Sequence, residues 1–398
     1  MVFNFILTSM RHRVIGKRFS SSLSVVLKGN LVEVKWPDKP APSQFHLSWL
    51  RDNCYKSIHP STRQKLLSSG QISNYKNPKL SWTDDKLTLD WLDGSGNGRD
   101  QSIFDFEWLK EHDYSHERSR LIDPIVWDAE AYRKAHKPID YAMFDGTDDG
   151  LDQALINLRD YGLCFLRNVP IQYKCKVEAI AQKFGPIMET FYGRSWDVKS
   201  VSNSKNIAYT SLNLGFHMDL LYFESPPGLQ FLHCLENTVT GGESIFLDVF
   251  KAVEILKNAF PEDYQILTEI PVTFHYRNDG HHMRFTRPTI IQDDINDGLK
   301  VFYAPQFQAP LNAPSSKVDA FYKAFNRFEG ILANPKLTFK IRMQPRDCVI
   351  FLNQRVLHGR TEFDPESGAR HLKGTYVGID EFKDKVRFRE LHFNQTIC

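Results

Sequence analysis

From Leu31 onward, apolar and polar residues alternate in short runs. Leu31-Val32-Glu33-Val34-Lys35-Trp36, Lys79-Leu80-Ser81-Trp82 and Lys86-Leu87-Thr88-Leu89-Asp90-Trp91 carry the period of two that turns one strand face to a core and the other to water. A turn-rich patch, Gly94-Ser95-Gly96-Asn97-Gly98, interrupts the alternation. The pattern predicts a small N-terminal β-rich domain over residues 30–120 and a connector over 121–144 with a short helical stretch reaching His136. Near residue 145 the periodicity changes. Leu151, Ala154, Leu155 and Leu158 recur at helical spacing, and Gly162 is placed to close that helix in a left-handed cap. Strand-like Leu163-Cys164-Phe165-Leu166 comes next, then a helix with Val177, Ile180, Ala181 and Phe184, ended by Gly185.

Beyond Asn206 strands dominate: Ile207 to Thr210, Leu229 to Cys234, Ser244 to Val249, Val272 to Tyr276, Leu337 to Met343, Cys348 to Leu352 and Leu372 to Val377. Many strands and few helices point to an antiparallel sandwich or jelly roll over residues 145–398, with helices packed outside. The expected fold class is therefore mainly β with peripheral helices.

Composition narrows the function. The chain has 398 residues, 41% of them apolar, and a net charge of +2. Five of its basic residues (Arg11, Arg13, Lys17, Arg18 and Lys28) and no acid fall in the first thirty positions, so the rest carries a small excess of acid. A body so near neutrality gives no reason to expect nucleic acid or an anionic membrane as partner. No apolar run approaches the length of a membrane span, and six scattered cysteines read as reduced thiols. Residues 1–29, basic, serine-containing, acid-free and marked by short apolar groups, have the make-up of a mitochondrial transit peptide, so the expected location is the matrix.

The chemistry centres on Phe216-His217-Met218-Asp219 and Val356-Leu357-His358-Gly359-Arg360. On a strand, residues i and i+2 share a face, so His217 and Asp219 are placed to hold one ion between them. Joined by His358 they make the two-histidine, one-carboxylate set of non-haem Fe(II) oxygenases, which leaves coordination positions open for a co-substrate and O₂. Arg370 stands twelve residues after His358, and its forked guanidinium suits one carboxylate of a dicarboxylic co-substrate such as 2-oxoglutarate.

Longer stretches carry a resemblance. They are Trp49-Leu50-Arg51-Asp52-Asn53-Cys54 in the small domain and, in the large one, Phe191-Tyr192-Gly193-Arg194-Ser195-Trp196, Pro226-Pro227-Gly228, Leu232-His233-Cys234 and Thr240-Gly241-Gly242-Glu243-Ser244. In this order they resemble the γ-butyrobetaine dioxygenase and trimethyllysine dioxygenase branch of the Fe(II)/2-oxoglutarate oxygenases. The resemblance implies a double-stranded β-helix (jelly roll), iron on His217, Asp219 and His358, and 2-oxoglutarate on Arg370 and Ser244, with ascorbate as activator. It also implies an aromatic cage of Tyr192, Trp196, Tyr209 and Tyr376 for a trimethylammonium group, which cannot donate hydrogen bonds and is attracted to ring faces.

Asn206 matches an asparagine of the butyrobetaine enzymes where the trimethyllysine enzymes carry an acid, which favours γ-butyrobetaine as substrate. Two positions depart from the pattern. Gln306 stands in the segment where the family supplies a further asparagine. The small domain offers Cys54, His59 and Asp100, with Lys56 among them, where relatives hold a structural zinc, so no zinc is expected there. His281-His282 reads as loop. Trimethyllysine, another small amino or sulfonic acid, and a non-catalytic quaternary-ammonium binder stand as rival readings, and a homodimer is left open.

Overall fold

The computed structural model describes residues 23–72, 78–92, 99–115, 124–172, 176–199, 211–293 and 298–396. The chain divides into two compact units, Met1–Ser119 and Arg120–Cys398. The stretch expected as a connector packs into the second unit. Trp127, just before the helix Ala129–Ala135, and Tyr132, on it, are buried with Phe165, Phe246 and Phe339.

The small unit holds two three-stranded antiparallel sheets, Ser24–Lys28, Leu31–Lys35 and Ser43–His46 in one, Lys79–Trp82, Lys86–Leu92 and Arg99–Asp105 in the other. The alternation seen in the sequence becomes burial: Val32, Val34, Leu87, Leu89 and Trp91 share one core with Phe45 and Leu50. Its buried indoles find partners, Trp36 Nε1 donating to Ser43 Oγ at 2.6 Å and Trp91 Nε1 to Ser102 Oγ at 2.7 Å.

The large unit is built on two facing sheets. One has six strands in the spatial order Ile139–Asp140, Leu163–Arg167, Cys348–Leu352, Leu229–Asn237, Arg370–Val377 and Trp196–Lys199. The other has four, in the order Leu214–His217, Val356–Arg360, Ser244–Asp248 and Phe339–Ile341. All pairings are antiparallel except that of Ile139–Asp140 with Leu163–Arg167. This is the expected jelly roll. The period of two decides what each face meets: Leu229 and Phe231 pack against the helices Asp148–Tyr161 and Lys176–Gln182, while Gln230 and Leu232 look into the space between the sheets. The first of those helices ends as expected, with Gly162 at φ 72°.

A buried ion pair anchors the turn that leads to His358. Arg355 donates to Asp248 at 2.9 Å and to the carbonyls of Asp160 and Ile125, while Asp248 also accepts from the Trp127 amide. A buried pair is tolerated when its remaining hydrogen-bonding groups are satisfied in this way.

The helical content exceeds the expectation of few helices. Val249–Ala259, Pro261–Glu269, Ser315–Leu332 and Ile379–Thr396 are all helical. His281 and His282 begin the strand His281–Pro288 of a long hairpin instead of lying in a loop; His281 packs on Phe191 with ring centroids 4.7 Å apart, and His282 is exposed. The expected strand Ile207 to Thr210 lies outside the described residues.

Candidate active site

Two histidines meet because two strands pair in register. His217 ends Leu214–His217, His358 lies within Val356–Arg360, and the two residues stand directly opposite, with ring centroids 4.2 Å apart. His217 Nδ1 is 3.0 Å from the Gly215 carbonyl oxygen, which fixes the tautomer with the proton on Nδ1 and leaves the Nε2 lone pair facing inward. Asp219 arrives by another route than the one the sequence suggested. The strand stops at His217, and Asp219 sits in the turn after it, where Leu220 takes a left-handed conformation at φ 57°. Its Oδ1 lies 3.3 Å from His217 Nε2 and 3.8 Å from His358 Nε2.

The electrostatics suit a cation. Burial alone would raise the Asp219 carboxyl, but the two imidazoles and the Tyr376 hydroxyl, which donates to Oδ2 at 2.6 Å, outweigh it and hold the group well below the usual carboxylate range. Burial, reinforced by His217, pushes His358 down to about 3, so it is neutral at pH 7 and free to act as a ligand. Among the described residues these three are the group of His, Cys, Asp or Glu side chains able to share one metal ion. Two imidazoles and one carboxylate fit Fe(II).

Around this centre is a cavity shared by Tyr192, Trp196, Ser244, Arg370 and Tyr376, all candidates from the sequence, and by Gln306, which the sequence marked as a departure from the family pattern. Arg370 opens the strand that carries Tyr376. Burial, with the charges of Arg360 and Arg342 nearby, brings its guanidinium down to about 10, still protonated at pH 7. Its Nε is buried with no hydrogen-bond partner among the described residues, which marks a donor turned to a ligand. Replacing it with alanine is expected to raise the 2-oxoglutarate requirement at least tenfold, since a charge-assisted bidentate pair is worth about 1.5–3 kcal/mol. A saturation curve unchanged from wild type would make Arg370 structural.

Trp196 packs on Tyr376 at 4.1 Å, the two acting as one aromatic wall, and Tyr192 stands 6.5 Å from Trp196. The indole is seated on Gly374, where a Cβ would meet Trp196 at 2.6 Å. Asn206 and Tyr209 lie outside the described residues.

Four further residues belong to the site without being candidates from the sequence. Tyr222 and Gln230 line the cavity, as does Arg360, which stands at i+2 from His358 and therefore shares its face. Asn353, fully buried, binds the main chain of Asp219. In the small unit, Cys54 is buried with its thiol 3.9 Å from the Gln101 carbonyl, His59 Nδ1 accepts from the Thr62 amide, and Asp100 pairs with Arg51 and Lys56.

Comparison with known proteins bears directly on this geometry. Residues 127–376 match the taurine catabolism dioxygenase TauD, TfdA family. The chain belongs to the TauD/TfdA dioxygenases. Residues 24–110 of this TauD/TfdA dioxygenase match the γ-butyrobetaine hydroxylase-like N-terminal family. It is 38% identical to a dioxygenase, str8, from Strobilurus tenacellus over 87% of this chain and 86% of that protein. It is 32% identical to γ-butyrobetaine dioxygenase from Pseudomonas sp. strain AK-1 (89% and 92% covered) and 32% identical to mitochondrial trimethyllysine dioxygenase from Bos taurus (86% and 82% covered). As a TauD/TfdA dioxygenase it is an Fe(II)- and 2-oxoglutarate-dependent oxidoreductase, and the three inward-facing ligand side chains meet that requirement.

Proposed function

We propose that this dioxygenase hydroxylates a trimethylammonium substrate, converting γ-butyrobetaine to L-carnitine in the mitochondrial matrix. The observation that carries the reading is the make-up of the cavity: aromatic side chains (Tyr192, Trp196, Tyr222, Phe307, Tyr376) stand beside the His217, Asp219 and His358 group, and no acid other than Asp219 is among the described lining residues. Ring faces favour a quaternary ammonium. The α-ammonium of trimethyllysine calls for a further acceptor of negative charge, whereas the plain carboxylate of γ-butyrobetaine is served by donors such as the Gln306 amide.

In this reading His217, Asp219 and His358 hold the iron, and Arg370 with Ser244 orients 2-oxoglutarate. Iron with 2-oxoglutarate supplies the oxidising power for C–H hydroxylation. The chain supplies position: the aromatic wall fixes one end of the substrate, the polar groups fix the other, and the apolar lining from Leu214, Leu232, Phe246 and Leu372 keeps water away from the reacting carbon.

The test is succinate release and a mass gain of one oxygen, measured with Fe(II) and 2-oxoglutarate on γ-butyrobetaine, trimethyllysine and taurine. γ-Butyrobetaine is expected to be turned over fastest. Faster turnover of trimethyllysine would move the assignment to that substrate, and turnover of neither would end the trimethylammonium reading. Location has its own experiment. A chain beginning at Ser21 should lose mitochondrial import and keep activity in vitro, and equal import of both forms would remove the targeting role of residues 1–29.

A further inference from the structure

The metal-facing carboxylate sits in a turn whose main chain is bonded on either side of it, the Met218 amide donating to the Tyr303 carbonyl and the Phe223 amide to the Leu220 carbonyl, each at 2.9 Å. Asp219 lies just beyond the end of the strand Leu214–His217, separated from it by Met218, and Leu220 after it is buried in a left-handed conformation. A non-glycine residue in that region is strained and persists only where its surroundings impose it. The Asn353 side chain is placed to impose it. The Asp219 amide donates to Asn353 Oδ1 at 2.8 Å, and Asn353 Nδ2 donates back to the Asp219 carbonyl at 2.9 Å and to the Pro227 carbonyl at 3.2 Å. One amide thus grips both main-chain groups of Asp219, as a neighbouring strand would.

Asn353 is itself fixed. Its amide donates to the Gly228 carbonyl at 2.9 Å, and its side chain is excluded from solvent. It stands immediately after the strand Cys348–Leu352, in the turn from which Val356–Arg360 departs with His358. A single turn therefore carries one imidazole on its outgoing strand and holds the carboxylate through a side chain. Tyr376 completes the arrangement by taking Oδ2, which leaves Oδ1 facing both imidazoles.

We propose that Asn353 is a positioning residue that presets Asp219 for metal binding; this rests on the reading of His217, Asp219 and His358 as metal ligands. Outer-shell partners of ligating side chains typically govern about 10- to 100-fold in metal affinity, and Asn353 is placed to act at that level through the backbone of Asp219.

The experiment is titration of the full-length metal-free protein with Mn(II), monitored by the electron paramagnetic resonance signal of the free ion. Asn353→Ala and Asn353→Ser are compared with wild type, Asp219→Ala and Gln354→Ala. Gln354 belongs to the same turn but contacts the Pro226 carbonyl and not Asp219. Asn353→Ala is expected to bind Mn(II) about 10- to 100-fold more weakly, with turnover recovering as Fe(II) is raised, and Gln354→Ala to match wild type. The proposal is overturned if Asn353→Ala and Asn353→Ser bind within about threefold of wild type, if Gln354→Ala weakens binding equally, or if neither Asn353 variant folds, which would make the residue part of the fold alone. Failure of Asp219→Ala to weaken binding would instead overturn the ligand reading beneath it.

Discussion

Asp219→Ala is expected to abolish turnover while leaving the protein folded. The substitution removes the carboxylate between His217 Nε2 and His358 Nε2 and leaves only two imidazoles to face a divalent cation. The cost to the fold is small by comparison. The Tyr376 hydroxyl loses its acceptor, a penalty of about 1–3 kcal/mol for a buried donor, but a buried charge is removed with it. Asp219→Asn sharpens the test, because it keeps the shape and an acceptor for Tyr376 while giving up the charge. Both variants should show a folded circular dichroism spectrum and succinate release at background. Turnover near the wild-type rate in either would remove Asp219 from the metal site.

The two histidines and Arg370 are legible in the sequence because short motifs fix their local setting. His217 and His358 each sit on a short strand of the four-stranded sheet, and Arg370, twelve residues after His358, opens a strand of the facing six-stranded one. Asp219 is legible for the wrong reason. Alternation along a strand predicts a shared face with His217, yet the strand ends and a left-handed turn delivers the carboxylate. No local propensity marks that turn, since Leu220 is an apolar residue kept there by the grip of Asn353 on Asp219, 134 positions away in the chain. Such long-range constraints are invisible to periodicity.

Other misses had a signal. Gln230 is a polar residue between the apolar Leu229 and Phe231 of the strand Leu229–Asn237, which is what a side chain facing a cavity looks like. Arg360 repeats His358 at the strand period. In Ser315–Leu332 the buried Phe321, Ala324, Phe325, Phe328 and Leu332 keep helical spacing, but phenylalanine also favours strands, and its abundance hides the pattern. His281 and His282 look like loop beside Asp279 and Gly280, which form the tip of the hairpin, and only the pairing across it makes them strand.

The substrate end of the site turns on Trp196. It begins the edge strand Trp196–Lys199, opposite Gly374, and its ring lies on Tyr376. Within that wall the two aromatics have separate duties. Tyr376 spends its hydroxyl on Asp219, so Tyr376→Phe should disturb metal binding, whereas Trp196→Ala should act on the substrate alone. A desolvated cation–π contact is worth about 2 kcal/mol, so Trp196→Ala is expected to weaken binding of a trimethylammonium substrate roughly 30-fold while leaving the 2-oxoglutarate requirement unchanged. The ligand provides a control. A neutral isostere with a tert-butyl group keeps the shape and loses the charge, so the wild-type protein should prefer the cation and Trp196→Ala should narrow that preference. Equal binding of cation and isostere by the wild type would make the pocket merely apolar and sink the quaternary-ammonium reading. A rise in the 2-oxoglutarate requirement of Trp196→Ala would mean that the indole supports the co-substrate end instead.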